Sequence, residues 1–252
     1  MVTGGSSGVG LATVAGLLEE GANVVTCARG LDALHDALAD LGSPGTRLLA
    51  VRCDVRDPAS VAEMVELTKE RFGGLDGLVN NAGQSRMKGL ADAAVEDFLD
   101  ELDLKFSPVL NTINAGLPLL RKSRSASIVN INAVLAKQPE PRLVTTSAAR
   151  AGLLNLTRSM SIEYAADGIR VNSVCLGLID TGQWRRRHET TDTVTPFAQW
   201  EREIAADRGI ALRRFGTADE VAAMVITLLS PRASYVTGAS LDVCGGVARY
   251  FS

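Results

Sequence analysis

The sequence predicts an α/β fold built on a doubly wound parallel sheet, and three observations carry the prediction. Short β-branched runs alternate with helical periodicities along the whole chain, an order that calls for crossover connections and a parallel sheet covered on both faces. A glycine-rich turn, TGGSSGVG at 3–10, joins the first run to the first helix. The 252 residues, 46% apolar with only eight prolines, suffice for one sizeable core, so a single domain over 1–252 is the economical reading.

Composition narrows the function classes. The formal charge of −3, with acids and bases interspersed, gives no field that favours nucleic acid or a membrane surface. Cys27, Cys53, Cys175 and Cys244 show neither metal nor redox spacing and read as buried free thiols. His35 on the polar side of a helix and His188 in a loop lack a second ligand at metal spacing, so no metal site is expected. No secretory leader and no run of eighteen apolar residues is present, which predicts a soluble, cytoplasmic protein.

Taken in order, Met1 to Thr3 is a very short first strand, as if a few residues that would normally extend it were missing. In the turn that follows, Gly4 suits the tight bend, Gly8 lets the backbone approach a phosphate, and Gly10 lets the helix pack closely on the sheet; Ser6, Ser7 and Val9 complete the loop. Such a loop at a helix N-terminus is where a nucleotide pyrophosphate rests. The helix Val9 to Glu20 should bury Leu11, Val14, Ala15 and Leu18 and stop at Gly21. Asn23 to Ala28 is a buried strand, and Arg29 follows where an acid would suit a free ribose 2′-hydroxyl and a base a 2′-phosphate, so NADP is expected rather than NAD.

A helix Leu31 to Leu41 leads through Gly42 to Gly45 into the strand Arg47 to Arg52, after which Asp54 and Val55 stand at a strand end suited to an adenine. Asp57 caps a helix from Pro58 to Phe72. Leu75 to Asn80 is a fourth strand, ending in Asn80-Asn81-Ala82-Gly83.

TGGSSGVG, Asp54, NNAG at 80–83 and IRVNSV at 169–174 together resemble the short-chain dehydrogenase/reductase family over nearly the whole chain. The resemblance implies a Rossmann-type three-layer sandwich of about seven parallel strands, with the ligand crevice at their carboxyl ends. It implies an oxidoreductase in which Asn81, Ala82 and Gly83 line the adenosine and ribose, Thr181 meets the nicotinamide amide, and Gly177 and Ile179 belong to the same cofactor site. It also implies a homotetramer through the two long central helices and the last strand, with a hetero-oligomer containing an active homologue as the variant.

Active members of the family use an Asn, a Ser, a Tyr and a Lys, and this chain departs at all four positions. In IVNINAVLA, 128–136, the serine position holds Ala133; thirteen residues on, Thr146 stands for the tyrosine, and four further Arg150 stands for the lysine. Counting back from Leu117-Pro118, the asparagine position is Lys105. A tyrosine of pKa about 10, lowered by a neighbouring ammonium, can protonate a carbonyl oxygen during hydride transfer; a threonine hydroxyl is far too weak an acid. Arg150 can hold ribose hydroxyls but cannot yield a proton near neutral pH.

Lys105 is therefore the position of interest in a chain with five lysines and twenty-one arginines. Its ammonium, with a pKa lowered by Arg150, is a candidate displaced proton donor; the bland alternative is a lysine snorkelling along its helix. Pro108 should kink that helix. Ser85, Gln84, Asn132, Gln138 and Thr145 are further polar candidates without a distinguishing signal.

An insertion at about 182–208 has the length of a substrate lid and contains Trp184, Phe197 and Trp200, which suggests an apolar or aromatic small-molecule substrate. Arg185, Arg186 and Arg187 read as a carboxylate or phosphate contact or as a solvated charge run. Thr217 and Glu220 form a capping box for the next helix, and SLDVCGG at 240–246 resembles the family's last strand. Three functions stay open: an NADP(H)-dependent oxidoreductase with a rebuilt proton-transfer site, a non-catalytic subunit or dinucleotide-binding protein, and a non-redox dehydratase, isomerase or lyase on the same fold.

Overall fold

The computed structural model describes residues 1–42, 45–192 and 194–250. Its centre is a seven-stranded sheet in the order β3-β2-β1-β4-β5-β6-β9, every neighbouring pair parallel. These strands are β1 (Val2–Thr3), β2 (Val24–Ala28), β3 (Leu48–Arg52), β4 (Gly77–Asn80), β5 (Ser127–Ala133), β6 (Arg170–Leu176) and β9 (Ser240–Val243). The order reverses between β1 and β4, and at such a switch point the loops diverge and leave a crevice at the strand ends.

Helices cover both faces, as the alternating pattern requires. On one face α3 (Pro58–Phe72), α4 (Val95–Leu120) and α5 (Val144–Glu163) bury Met64, Ile113 and Leu153 against Leu78 and Ile128. On the other, α1 (Gly8–Glu19), α2 (Leu31–Ala39) and α8 (Ala218–Leu229) bury Val14, Leu34 and Val225 against Val2 and Val129. The buried stripe of α1 is Val9, Gly10, Thr13, Val14 and Leu18, with Leu11 and Ala15 only half-buried; Thr13 fits among apolar neighbours because its hydroxyl donates to Val9 O at 2.7 Å.

The local caps follow the sequence. Asp57 accepts from Ala59 N ahead of Pro58, and Thr217 and Glu220 cap each other's backbone N–H. Pro108 and Pro118 both lie within α4, which runs unbroken for 26 residues. The lid is not a loop. Its described residues include two helices, α6 (Gly182–Thr191) and α7 (Phe197–Asp207), flanked by a two-stranded sheet of β7 (Ile179–Asp180) and β8 (Gly216–Thr217) that the sequence did not suggest. His188 consequently sits on α6 rather than in a loop; four residues from Trp184, it shares a face that packs on Phe197 and Trp200.

Cys27, Cys53 and Cys175 are buried free thiols, whereas Cys244 is half-buried. Among the described residues no helix is long and apolar enough to cross a membrane, and no three metal-ligating side chains cluster.

Candidate active site

The strand ends open into a cleft of about 910 Å³ lined by residues from Gly4, just after β1, to Arg208, just after α7. At its first end lies the glycine turn. Gly4 takes φ +73°, which an L side chain rarely adopts, and its N–H donates to Cys27 O at 3.0 Å. A Cβ on Gly10 would stand 2.1 Å from Gly4 O, so the close approach of α1 to β1 requires glycine there. Gly10 accordingly packs rather than lines the cleft, while Gly4, Ser6, Ser7, Gly8 and Val9 line it.

Thr3 and Asn81 brace this turn from below. Thr3 Oγ1 accepts from Asn81 N and Ala82 N at 3.0 Å, and Asn81 Nδ2 donates to Thr3 O at 2.9 Å and Gly4 O at 3.2 Å. The Asn81 side chain is thus spent on joining the ends of β1 and β4. Asn81, Ala82 and Gly83 all line the cleft. Arg29, Asp54 and Val55 line the same end; Arg29 is exposed, and Asp54 Oδ1 accepts from Arg56 N at 3.0 Å. Gly177, Ile179 and Thr181 form the opposite rim, Thr181 Cγ2 lying 3.3 Å from where a Gly8 Cβ would stand.

Two cations occupy the middle of the cleft. Lys105 on α4 is only 6% exposed, so it does not snorkel; its Nζ donates to Gln84 O and lies 3.2 Å from Glu101 Oε2, one helical turn back. Glu101 is itself 1% exposed, and its Oε1 accepts from Arg86 N at 3.3 Å. Burial, more than the neighbouring Arg150 charge, pushes the Lys105 amine down from 10.5 to about 8, and Glu101 opposes the fall. The sequence had credited Arg150 alone, because burial was invisible there.

Arg150 on α5 holds Asn132 Oδ1 and Ser85 Oγ at 3.4 Å each, and its buried Nε has no hydrogen-bond partner among the described residues. Desolvation lowers its pKa, with Glu101 acting in the opposite sense.

Thr146 is turned away from this chemistry. It is fully buried, its hydroxyl donates to Arg86 O at 3.3 Å, and it does not line the cleft, whereas Ala133 does. Positions 146 and 150 lie one turn apart on the same face of α5, so side-chain length makes the difference: the Arg150 side chain reaches the cleft, and the shorter threonine ends at Arg86 O. Among the other polar candidates, Ser85 and Gln84 line the cleft. Asn132 also lines it but has its amide committed to Arg150 O at 3.0 Å. Thr145 is buried elsewhere, and Gln138 Oε1 accepts from Arg249 N.

Beneath the site Asn80 and Asn130 hydrogen-bond at 2.9 Å, Thr112 donates to Asn80 at 2.6 Å, and Asn130 donates to Thr157 at 3.0 Å. This fully buried network pins α4 and α5 to β4 and β5, which fixes Lys105 relative to Arg150. Glu101 and this network were missed in the sequence; the four-residue spacing of Glu101 and Lys105 was the available signal.

The far end is walled by the lid. Of its aromatics only Trp184 lines the cleft; Trp200 is buried and Phe197 half-buried in the lid's own core with Phe215. Arg185 turns out to Asp180 at 2.6 Å, whereas Arg186 and Arg187 line the cleft.

Comparison with known proteins agrees with this architecture. A family model described as enoyl-(acyl carrier protein) reductase matches residues 4–248. The 3-oxoacyl-(acyl-carrier-protein) reductase FabG of Thermotoga maritima is 32% identical over 248 residues, 98% of this chain and 96% of its own. Among solved structures, a short-chain oxidoreductase of Pseudomonas aeruginosa PAO1 containing an atypical catalytic center, bound to NADPH, is 46% identical at TM-score 0.94 over 99% of this chain and 96% of its own. The L-sorbose reductase of Gluconobacter frateurii, complexed with NADPH and L-sorbose, is 31% identical at TM-score 0.92, with 99% and 96% covered.

Proposed function

The chain belongs to the short-chain dehydrogenase/reductase family, and on that premise we propose that it is an NADP(H)-dependent oxidoreductase interconverting the carbonyl and alcohol of an apolar or aromatic small molecule, with Lys105 as its proton donor. The observation that carries the reading is a buried amine, lowered to about 8, in the middle of a dinucleotide-sized cleft.

The residues suit the cofactor. Ser6, Ser7, Gly8 and Val9, at the N-terminus of α1, line the cleft and suit phosphates, and exposed Arg29 beyond β2 suits a 2′-phosphate. Two solved neighbours hold NADPH, which supports NADP over NAD. When bound, the reduced nicotinamide supplies a hydride to the carbonyl carbon.

The chain's own residues do the rest. Lys105 Nζ gives its proton to the carbonyl oxygen, a transfer that a lysine at its ordinary pKa would make less readily. Arg150, which lines the cleft, places a fixed positive charge where negative charge develops on the oxygen. Glu101 keeps Lys105 charged in the resting state and holds its chain in place. Ser85, which accepts from Arg150, has its own hydroxyl proton available for the substrate where Ala133 offers only a methyl group. Thr146 takes no part. Exposed Leu99 and Leu102 on α4 and Ile162 on α5 support assembly through these two helices, as in a homotetramer.

The test begins with calorimetric titration by NADPH, NADP+ and NADH. NADPH should bind at micromolar concentration, and screened aryl carbonyl compounds should then consume it, as followed by the absorbance of the reduced cofactor. A folded protein that binds no dinucleotide would overturn the proposal, and turnover of substrate without change in the cofactor would move it to the dehydratase, isomerase or lyase class.

A further inference from the structure

The charges along the cleft are unevenly matched. Among its lining residues the acids are Asp54, at the adenosine end, and Glu140, at the lid end. Glu140 is taken by Arg208 at 2.8 Å, and Lys105 has Glu101. Arg142, from the segment before α5, and Arg187, from α6, line the lid end with no carboxylate within 4 Å among the described residues. The Arg187 guanidinium lies over the Trp184 ring, 5.1 Å from its centroid, so a planar apolar face and a cation are presented together.

The cofactor does not account for this surplus. Its phosphates would be met at the other end, by the glycine turn and Arg29, and on the near rim by Arg186. The Arg186 Nη1 lies 3.0 Å from where a Gly182 Cβ would stand, next to Thr181 over Gly8. Arg142 and Arg187 are left over.

We propose that the substrate carries an anionic group, a carboxylate or a phosphate ester, held between Arg142 and Arg187 with its apolar body against Trp184. The proposal rests on the redox reading of the cleft and adds the substrate's charge to it. Guanidinium forks bind either oxyanion through paired N–H donors, and a concave site with a cation surplus concentrates anions before contact. A neutral ketone would leave both guanidiniums, Arg142 exposed and Arg187 half-buried, to solvent.

Binding can be read without turnover, because Trp184 reports on the site. In a Trp200→Phe background that leaves one tryptophan, the NADP+ complex is titrated with two matched pairs: 2-oxo-4-phenylbutanoate against its ethyl ester, and dihydroxyacetone phosphate against dihydroxyacetone. At least one charged member should bind about tenfold or more tightly than its neutral counterpart, and that preference should vanish in Arg142→Gln and in Arg187→Gln. The pair that shows it identifies carboxylate or phosphate. Equal binding within both pairs, or a preference that survives both substitutions, would overturn the proposal. Tight binding of the charged member to the NADP+ complex, with no NADPH oxidation when it is then supplied to the NADPH complex, would sink the redox reading and leave the anion site standing.

Discussion

Raising the pH should switch the reductive reaction off through Lys105. Burial and Arg150 bring its amine from 10.5 to about 8, against the pull of Glu101, a shift that makes the charged form costlier by about 3 kcal/mol relative to a lysine in water. Reduction needs the proton in place, so its rate follows the protonated fraction: roughly 90% at pH 7 and about 10% at pH 9. The expected result is a fall of about ninefold in kcat/KM for reduction over that interval, with a rise of similar size for alcohol oxidation, which needs the neutral amine. A lysine at its ordinary pKa would leave the reductive profile nearly flat, while the oxidative rate would rise about a hundredfold as its small neutral fraction grew. Lys105→Met should abolish the limb and cost about 10²- to 10⁴-fold, the usual worth of a positioned general acid. The assay is cofactor absorbance at saturating NADPH, with NADPH affinity measured at each pH so that binding and chemistry are separated. A flat wild-type profile between pH 7 and 9, or a limb that persists in Lys105→Met, would refute the assignment.

Other consequences concern the surroundings of that lysine and the cofactor end. Glu101→Gln removes the anion that raises the Lys105 pKa, so the reductive limb should move to lower pH; an unmoved limb would show that Glu101 does not govern the amine. Lys105→Met leaves the Glu101 carboxylate buried and unpaired, a destabilisation of about 3–5 kcal/mol in denaturant melts that Glu101→Gln/Lys105→Met should largely recover. Arg29→Ala should weaken NADPH binding by roughly tenfold or more, as for a lost charge-assisted hydrogen bond, and leave NADH binding unchanged in calorimetry. Gly10→Ala would drive a Cβ to 2.1 Å from Gly4 O and 2.5 Å from Asn81 Nδ2, so Tm and NADPH affinity should fall together; an unchanged Tm would contradict the required close approach.

Much of the fold was legible because its signals are local. The glycine turn, the Asp57-Pro58 start of α3, the Thr217–Glu220 capping box and the alternation of strand with helix each depend on a few adjacent residues. Burial was less legible. The half-buried Leu11 and Ala15 of α1 and the buried Trp200 of the lid depend on what packs against them, and an aromatic in a lid reads the same in sequence whether it faces a ligand or its own helices.

The catalytic positions divide in the same way. The resemblance and the spacing of its motifs were enough to set Ala133, Thr146 and Arg150 against the family's serine, tyrosine and lysine positions, and to single out Lys105 as the amine to examine. That Thr146 turns to Arg86 O while Lys105 is enclosed with Glu101 beneath Arg150 emerged only when α4, α5 and the segment after β4 were brought together. The physical reason is that a pKa and a hydrogen-bond partner belong to an environment. Arg150, 45 residues from Lys105, and Arg86, 60 residues from Thr146, belong to those environments, and nothing in the neighbouring sequence of either pair encodes the few ångströms between them.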